Sequence, residues 1–221
     1  MCQTHISEIL LAHRLGATLK IQWGVEIPSK RHKLDSNEFH PFKDFTKYCV
    51  NQRGKHDKGS LQNLFWKELV NSTYGKTAQG LQVRRMYDLV DRDMKELVPS
   101  SITNPAFASY ITAFCRATLS EVMNKLPKEV VVFSVTTDGF LTNATPQQLE
   151  DSSHGTLCKY YRESRRKILD LERKEEPEIF EVKHICRQLI GWRTRGQSTL
   201  IPSTLDDWQG IVGDGSKEDN R

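Results

Sequence analysis

The amino-acid sequence predicts an α+β fold, in which helices and short antiparallel strands alternate along the chain. Three observations support this prediction. Apolar residues recur every three to five positions after Asn104-Pro105, a β-branched run covers Val130 to Val135, and Asp138-Gly139 follows that run. The first pattern is typical of a long buried helix, and the other two are typical of a hairpin whose turn residues adopt positive φ. Helices mixed with hairpins form α+β domains.

Composition and charge narrow the class of protein. The 221 residues are 37% hydrophobic and 27% charged, which is ordinary for a globular chain. The longest apolar run, Val130 to Val135, is broken by Ser134 and falls far short of the roughly 20 residues that a membrane helix needs. The N-terminus lacks the pattern of a signal peptide, so we expect a cytoplasmic protein with no membrane partner. Five scattered cysteines without a Cys-x-x-Cys pair predict reduced thiols.

The first fifty residues predict a helix followed by a strand. Apolar residues recur with a helical period from His5 to Leu15, and Gly16 follows as a left-handed C-cap. Strict alternation of apolar residues from Leu19 to Ile27 predicts a half-buried strand. Residues 29–58 predict irregular or weakly helical structure around an aromatic cluster, which consists of Phe39, Phe42, Phe45 and Tyr48.

A second helix is predicted from Ser60, its N-cap, to about Gly75. Its buried stripe is predicted to consist of Leu61, Leu64, Phe65 and Leu69. Residues 79–103 are polar and charged and predict a small insertion. Asn104 is the predicted cap of a long helix that runs to Pro127.

The C-terminal third is basic. Seven Lys or Arg residues stand against three acids between Lys159 and Lys174, and the net charge of the whole chain is +4. Residues 157–174 predict a basic helix, Phe180 to Ile190 predict a strand, and the tail after Pro202 is predicted to be loose. The basic runs are open to two interpretations, a solvated helix face or a groove that follows phosphates.

One short segment carries polar side chains whose spacing is typical of a binding surface. Lys67, Asn71 and Tyr74 lie at i, i+4 and i+7 of the predicted second helix and therefore share one face. That face points away from Leu61, Phe65 and Leu69 of the predicted apolar stripe. A cation, an amide and a ring on one surface suit a triphosphate and its sugar, although an ordinary amphipathic helix gives the same spacing.

The segment Lys67-x-x-x-Asn71-Ser72-x-Tyr74-Gly75 closely resembles the fingers motif of family B DNA polymerases. Two further stretches agree with this resemblance: Ser134-Val-Thr136-Thr137-Asp138-Gly139 is similar to the catalytic hairpin, and the helix after Asn104-Pro105 is similar to the palm helix before it. In its overall sequence pattern the chain most resembles the protein-primed and primer-independent branch of phages and mobile elements. The resemblance implies a bacterial or phage-infected host.

The resemblance implies roles for individual residues. Lys67 would bind the triphosphate, Tyr74 would pack under the sugar, and Asn71 would shape the pocket. A second phosphate ligand would be Lys55 or Arg53, and the sequence does not choose between them.

The resemblance also implies residues that contact DNA. Lys183 is placed like the lysine that holds the primer terminus, although Ile185 stands where the family has Tyr. Arg193 and Arg195, beside Trp192, would contact the nucleic-acid backbone, and a plain surface turn is an equal alternative.

Asp138 would be the catalytic residue and a ligand of Mg²⁺, the implied cofactor. Polymerases use two such ions about 4 Å apart, which one carboxylate cannot hold. The first Asp of the family's hairpin is Thr136 here, and the earlier strand motif that supplies the partner Asp is absent. The sequence therefore resembles a fragment that covers the fingers, the second half of the palm and the start of the thumb.

The resemblance also implies an order of segments. Residues 1–50 would connect palm to fingers, 51–78 would form the fingers, and 79–103 would be the insertion. Residues 104–145 would hold the palm helix and the catalytic hairpin, and 146–221 would be a basic palm and thumb segment with its tail. The predicted architecture is a partial palm, with hairpin strands packed on a long helix, and α-helical fingers.

The implied function is template-directed DNA synthesis by a DNA-directed DNA polymerase. Its partners would be a DNA template and primer, deoxynucleoside triphosphates, and the missing N-terminal part as a separate chain. We expect no measurable polymerisation from the chain alone. A catalytically inert remnant that only binds nucleic acid is the alternative. A reverse-transcriptase-like palm fits less well, because those enzymes prefer two adjacent Asp residues where this chain has Asp138-Gly139.

Overall fold

The computed structural model describes residues 4–26, 41–169, 177–182, 185, 188–193 and 196–198. The described residues divide into two compact units. The first unit runs to Ala113 and takes in the chain again from Ser164, and the second contains Phe114–Glu163 and the described residues from position 177 onward. No helix among the described residues is long and apolar enough to cross a bilayer.

The described part of the chain contains helices and three antiparallel hairpins, so the predicted α+β class agrees with the structure. The elements in chain order are α1 (Ile6–Arg14), α2 (Lys43–Arg53), α3 (Leu61–Ala78), β1 (Arg85–Asp88), β2 (Asp93–Glu96), α4 (Pro105–Lys125), β3 (Val132–Val135), β4 (Phe140–Thr142), α5 (Pro146–Ser152), α6 (Thr156–Leu169), β5 (Ile190–Arg193) and β6 (Gly196–Ser198). Each sheet consists of two neighbouring strands, β1 with β2, β3 with β4, and β5 with β6.

The prediction of an N-terminal helix is confirmed, and the prediction of a strand after it is wrong. Helix α1 ends at Arg14, and Gly16 has the predicted left-handed conformation with φ +92°. Residues 17–26 form no strand and are exposed. Alternating apolar residues stabilise a strand only when another strand pairs with it, and no described strand does so here.

Phe45 and Tyr48 lie in a regular helix, α2, and Phe42 is its N-cap, so the prediction of irregular or weakly helical structure is wrong for this part of the chain. The Phe42 ring lies 5.6 Å from the Phe107 ring, and the Tyr48 ring lies 5.7 Å from the Trp66 ring, both edge to face. Phe39 and most of the preceding stretch lie outside the described residues. Aromatic packing of this kind stabilises α2 in a segment whose own apolar pattern is weak.

Helix α3 begins at the predicted cap but buries a different face from the one predicted. Ser60 accepts a hydrogen bond from the backbone N–H of Asn63 at 3.3 Å, and the helix continues past Gly75 to Ala78. Leu61 and Phe65 are 80% and 56% exposed, whereas Asn63 and Thr77 are buried. Tertiary contacts, described below, decide which face of this helix is covered.

The predicted insertion forms the β1–β2 hairpin. It follows Gly80, whose φ is +75° and whose hydrogens face the ring of Pro99. The C-terminal end of the segment is hydrogen-bonded to the last turn of α3 and to the residue after it: Ser100 Oγ donates to the carbonyl of Lys76 at 2.7 Å, and Thr103 Oγ1 donates to that of Gln79 at 2.8 Å.

The long helix α4 is confirmed. The Asn104 side chain accepts hydrogen bonds from the backbone N–H groups of Ala106 and Phe107, at 3.0 and 3.2 Å, and Pro105 occupies the first helical position. Small and branched residues of α4 are among the most deeply buried of the described residues, with Ala117 at 1% and Val122 at 0% exposure.

The C-terminal third is only partly as predicted. The basic helix is present as α6, ending at Leu169, and residues 170–174 and the tail after Pro202 lie outside the described residues. The described residues from Phe180 to Leu189 are not in a strand, which begins at Ile190. Helix α5 was not predicted, although Thr145 and Gln148 form a capping box before it.

Candidate functional site

The polar stripe on α3 is exposed over its central turns. Lys67 and Asn71 are exposed and Tyr74 is 40% exposed, all on one side of the helix axis. The hydroxyls of Thr73 and Thr77, in the same turns, donate to the helix carbonyls of Leu69 and Tyr74. The stripe therefore presents an ammonium, an amide and part of a phenol ring on one surface.

Asn63 continues this stripe one turn toward the N-terminus and is 7% exposed. Its side-chain N–H groups donate to the backbone carbonyls of Arg53 and His56, at 3.1 and 3.3 Å. Its side-chain oxygen accepts a hydrogen bond from Arg53 Nε at 3.5 Å. One buried amide thus joins the end of α2 to the first turn of α3.

The two candidates for the second phosphate ligand differ in their surroundings. Arg53 is half-buried and hydrogen-bonded to Asn63 on α3. Lys55 is exposed, and its Nζ donates to Gln52 Oε1, on the helix that precedes it, at 3.2 Å. Of these two residues, Arg53 contacts α3 with its side chain, through Asn63, which lies one turn before Lys67 on the same face.

The C-terminal end of α3 is held as firmly as its start. The backbone N–H of Asn104 donates to the carbonyl of Thr77 at 2.9 Å, and Ser100 and Thr103 add the hydroxyl contacts given above. Carbonyls at a helix end lack partners within the helix, so these bonds satisfy them. The stripe lies between two anchored ends.

Asp138 lies on the loop of the β3–β4 hairpin, in the second unit, and is exposed. Four residues connect the strands, and Thr136 closes the loop: its N–H donates to the carbonyl of Gly139 at 2.8 Å and its Oγ1 at 3.1 Å. Neither Asp138 nor Gly139 has a positive φ. The hairpin is confirmed, but the expectation of a two-residue turn with positive φ at both residues is wrong.

The negative charge of Asp138 affects a thiol group on helix α4. Burial raises the pKa of the Cys115 thiol on α4, and the carboxylate of Asp138 raises it further. The carboxylate of Asp138 therefore lies near enough to this turn of α4 to act on the Cys115 thiol; the packing of the hairpin on the long helix stays a prediction.

Asp138 offers the oxygen ligands that Mg²⁺ prefers. Within the described ranges, however, no three His, Cys, Asp or Glu side chains come together in a way that could hold a metal ion. The residues present fit a single ligand of such a site and do not complete a two-ion centre by themselves.

The predicted DNA contacts are only partly covered by the structure. Lys183 and Arg195 lie outside the described residues, and for Arg193 the backbone alone is described, in β5. Trp192 is 57% exposed on the same strand, and Ile185 is 79% exposed. The assignment of these residues to DNA stays a prediction.

Two buried charged residues of the second unit were missed. Glu121 is 5% exposed, and its carboxylate accepts hydrogen bonds from the backbone N–H groups of Leu157 and Cys158, at 2.9 and 3.1 Å, at the start of α6. Arg162, one of the basic residues expected on the surface, is 3% exposed and donates to the carbonyl of Ser153 at 2.7 Å. No local sequence signal marks either residue as buried, because their partners lie far away along the chain.

The motifs resemble those of the family B DNA polymerases, and comparison with known proteins finds a similarity to one DNA polymerase. Over 196 residues, which are 87% of this chain, the sequence is 40% identical to the primer-independent DNA polymerase PolB of Escherichia coli. The matched residues span 22% of that protein, so the chain corresponds to about a fifth of its length. No family model matches the chain, and no solved structure matches it.

Proposed function

We propose that the chain is the nucleotide-binding part of a DNA-directed DNA polymerase, which transfers deoxynucleotides to a 3′-hydroxyl under the direction of a template. The observation that supports this most is the exposed stripe of Lys67, Asn71 and Tyr74 on a helix anchored at both ends. The similarity to a primer-independent DNA polymerase points to the same activity.

The stripe suits the parts of a deoxynucleoside triphosphate. The Lys67 ammonium is a compact cation that attracts the triphosphate oxygens. The exposed part of the Tyr74 ring offers an apolar surface to the sugar, and Asn71 lies between the two with an amide that both donates and accepts hydrogen bonds. Close packing of the ring against the sugar would disfavour a 2′-hydroxyl.

In the proposed reaction the 3′-hydroxyl of the primer releases its proton to solvent, its oxygen forms a bond to the α-phosphorus, and the bond from that phosphorus to the leaving pyrophosphate breaks. Negative charge grows on the pyrophosphate as it leaves, and Lys67 stabilises that charge. Mg²⁺ ions, when bound, activate the 3′-hydroxyl and offset the charge of the phosphates. Asp138 is proposed as one metal ligand, and a second carboxylate must come from outside these 221 residues.

The proposed partners are a DNA template with its primer and deoxynucleoside triphosphates. Lys183, Arg193 and Arg195 are proposed to contact the DNA backbone. A further part of the polymerase, supplied as a separate chain, is proposed as the source of the second carboxylate.

A catalytically inert remnant that binds nucleic acid is the second candidate. Helix α6 favours it, because Lys159 and Lys167 are exposed and Tyr160 is 57% exposed between them in sequence. This combination of cations and a ring suits a phosphate backbone with stacked bases. The remnant would bind DNA with strong salt dependence and would never incorporate nucleotides.

A chimeric polymerase distinguishes the two candidate functions. The chain is inserted into PolB of Escherichia coli in place of the segment that it matches, and primer extension is measured. We expect extension, its loss in Asp138→Asn, and at least a tenfold fall in Lys67→Ala. Asp151→Asn on α5 and Lys76→Ala on α3 are the matched controls, both exposed. A chimera that folds and binds DNA but never extends would support the inert remnant.

A further inference from the structure

The loop that carries Asp138 is closed by a single residue. Thr136 donates two hydrogen bonds to the carbonyl of Gly139, one from its backbone N–H at 2.8 Å and one from its Oγ1 at 3.1 Å. A carbonyl oxygen has two lone pairs, so Thr136 alone can satisfy this acceptor. Asp138 lies inside the closed loop, directly before Gly139 in the chain.

The return side of the loop is anchored as well. Phe140 begins β4, and its ring packs edge to face against the Phe180 ring, with 5.5 Å between the ring centroids. Thr136 is half-buried, whereas Asp138 is exposed. Both ends of the loop are therefore held within the second unit, and the exposed carboxylate depends on these ends for its position.

Position 136 is also where the similar polymerase hairpin has its first Asp. In this chain the side chain at that position meets an acceptor, the Gly139 carbonyl. An ionised carboxylate has no proton to donate and could not form this hydrogen bond. It would also add a second negative charge two residues from Asp138, and like charges repel each other. The local geometry therefore suits a hydroxyl and does not suit an acid.

We propose that Thr136 is a positioning residue, whose hydroxyl holds the Asp138 carboxylate in place as a metal ligand. This inference rests on the proposed function. It gives Thr136 a role of its own, in which the side chain acts on the loop through a donated hydrogen bond. It also implies that Thr136→Asp weakens the activity, although this change introduces the acid that the similar hairpin carries.

The first test measures primer extension by the PolB chimera. Thr136→Val removes the hydroxyl and keeps the shape of the side chain, so kcat should fall three- to tenfold, the effect of one hydrogen bond. The KM for dATP should stay within twofold, because the stripe on α3 is unchanged. Thr136→Ser keeps the donor and should extend within twofold of wild type.

Thr136→Asp gives the opposite predictions for a positioning residue and for a metal ligand. We expect it to extend at least as slowly as Thr136→Val, because it loses the donor and adds a charge. Extension by Thr136→Asp at or above the wild-type rate would overturn the inference. If Thr136→Val does not fold, the comparison of Thr136→Ser with Thr136→Asp still decides.

A second hydroxyl of the same hairpin provides the matched control. Thr142 Oγ1 donates to the carbonyl of Val131 at 3.0 Å, at the end of the hairpin away from the loop. Thr142→Val should lower the urea midpoint about as much as Thr136→Val does, yet leave extension within twofold of wild type. Equal losses of extension in the two variants would show a purely structural role for both hydroxyls and would overturn the inference.

The Cys115 thiol reports the position of Asp138 in the isolated chain. Burial raises the pKa of this thiol and the Asp138 carboxylate raises it further, so displacement of the carboxylate should increase the thiolate fraction and speed alkylation by iodoacetamide. The rate at Cys115 is read by mass spectrometry at pH 8. We expect an increase in Asp138→Asn, at least half of that increase in Thr136→Val, and none in Thr142→Val.

A wild-type alkylation rate in Thr136→Val would show that the hydroxyl does not hold the carboxylate, and it would overturn the inference. The proposed function fails in a different way. If the chimera that carries the wild-type chain folds but does not extend a primer, deoxynucleotide transfer is overturned, whereas the alkylation rates still decide whether Thr136 positions Asp138.

Discussion

Helix α3 and the β3–β4 hairpin carry the two sets of candidate residues, and the chain supports them differently. Beside the exposed Lys67, the buried Asn63 and Thr77 connect α3 to the segments before and after it. In the hairpin, Thr136 closes the loop that carries Asp138. The side chains on one face of β3 and the residue before it are open to solvent: Val131 is 49%, Phe133 58% and Val135 41% exposed.

The two regions differ in how much of their support comes from within the chain. Hydrogen bonds within the chain position the stripe of Lys67, Asn71 and Tyr74. The hairpin supplies one carboxylate and an exposed apolar face, and a two-stranded sheet of this kind is marginal in water without further packing. We therefore expect nucleotide binding to be separable from catalysis.

The largest expected effect is a separation of the two activities by Asp138→Asn. In the PolB chimera this change should reduce primer extension more than about a hundredfold, since it removes a charged metal ligand. In the isolated chain it should change tripolyphosphate affinity by less than twofold. Equal loss of binding and extension would show that the carboxylate acts on nucleotide binding and would contradict the separation.

The second expected effect concerns the stability of the unit that contains the hairpin. A Cβ at Gly155 would overlap the carboxylate of Glu121, so Gly155→Ala must displace the group that caps α6. We expect the free energy of unfolding to fall by about 3 kcal/mol, measured by urea denaturation.

Gly75→Ala is the matched control for this change. Gly75 lies inside α3, and a Cβ there would meet nothing within 4 Å. This substitution should stabilise the protein by about 0.5–1 kcal/mol, because alanine favours a helix more than glycine does. A Gly155→Ala protein as stable as wild type would show that Glu121 does not hold α6.

Alkaline pH should weaken the second unit through Cys158. Burial, together with the nearby Glu121 carboxylate, raises the pKa of the Cys158 thiol from 9.0 to about 11. The folded protein therefore favours the neutral thiol. That stabilisation is complete below pH 9 and is lost as the pH rises to about 11.

The measurement for Cys158 is the urea midpoint as a function of pH. Between pH 9 and 11 the wild-type protein should lose about 2 kcal/mol more than Cys158→Ala, which lacks the titrating group. Parallel curves for the two proteins would show that this thiol ionises as easily in the folded protein as in the unfolded chain.

The smallest expected effect tests the shape of the hairpin loop. Because Gly139 has no positive φ and a Cβ there would lie 3.9 Å from Thr136 Oγ1, Gly139→Ala should change stability by less than about 0.5 kcal/mol. Gly16→Ala, at φ +92°, should cost about 1 kcal/mol. A large loss in Gly139→Ala would indicate the two-residue turn that the Asp-Gly sequence predicts.

Local signals explain which parts of the fold could be predicted. Asn104 and Pro105 specify the start of α4 through a cap and a fixed φ, and Ser60 specifies that of α3 through its side-chain cap. The common face of Lys67, Asn71 and Tyr74 follows from their spacing alone. The β-hairpin was predicted from the β-branched run and the Asp-Gly pair that follows it. The shape of the loop, however, is determined by Thr136 and not by the Asp-Gly pair.

Long-range contacts explain what could not be predicted. Residues 19–26 alternate like a strand, yet no described strand pairs with them. The burial of Asn63, and with it the placement of Arg53, depends on two carbonyls at the end of α2. No periodicity or motif in the sequence predicts that the Asn63 side-chain amide will donate hydrogen bonds to carbonyls seven and ten residues away.

Lysine footprinting is the most direct test of the proposal that the stripe of Lys67, Asn71 and Tyr74 on α3 binds the nucleotide. The purified chain is acetylated with a limiting reagent, with and without dATP and Mg²⁺, and the modification rate of each lysine is read by mass spectrometry. We expect dATP to slow the acetylation of Lys67 at least fivefold while Lys76, near the far end of the same helix, is unchanged. Equal rates at Lys67 with and without saturating dATP would contradict the assignment of this helix to the nucleotide.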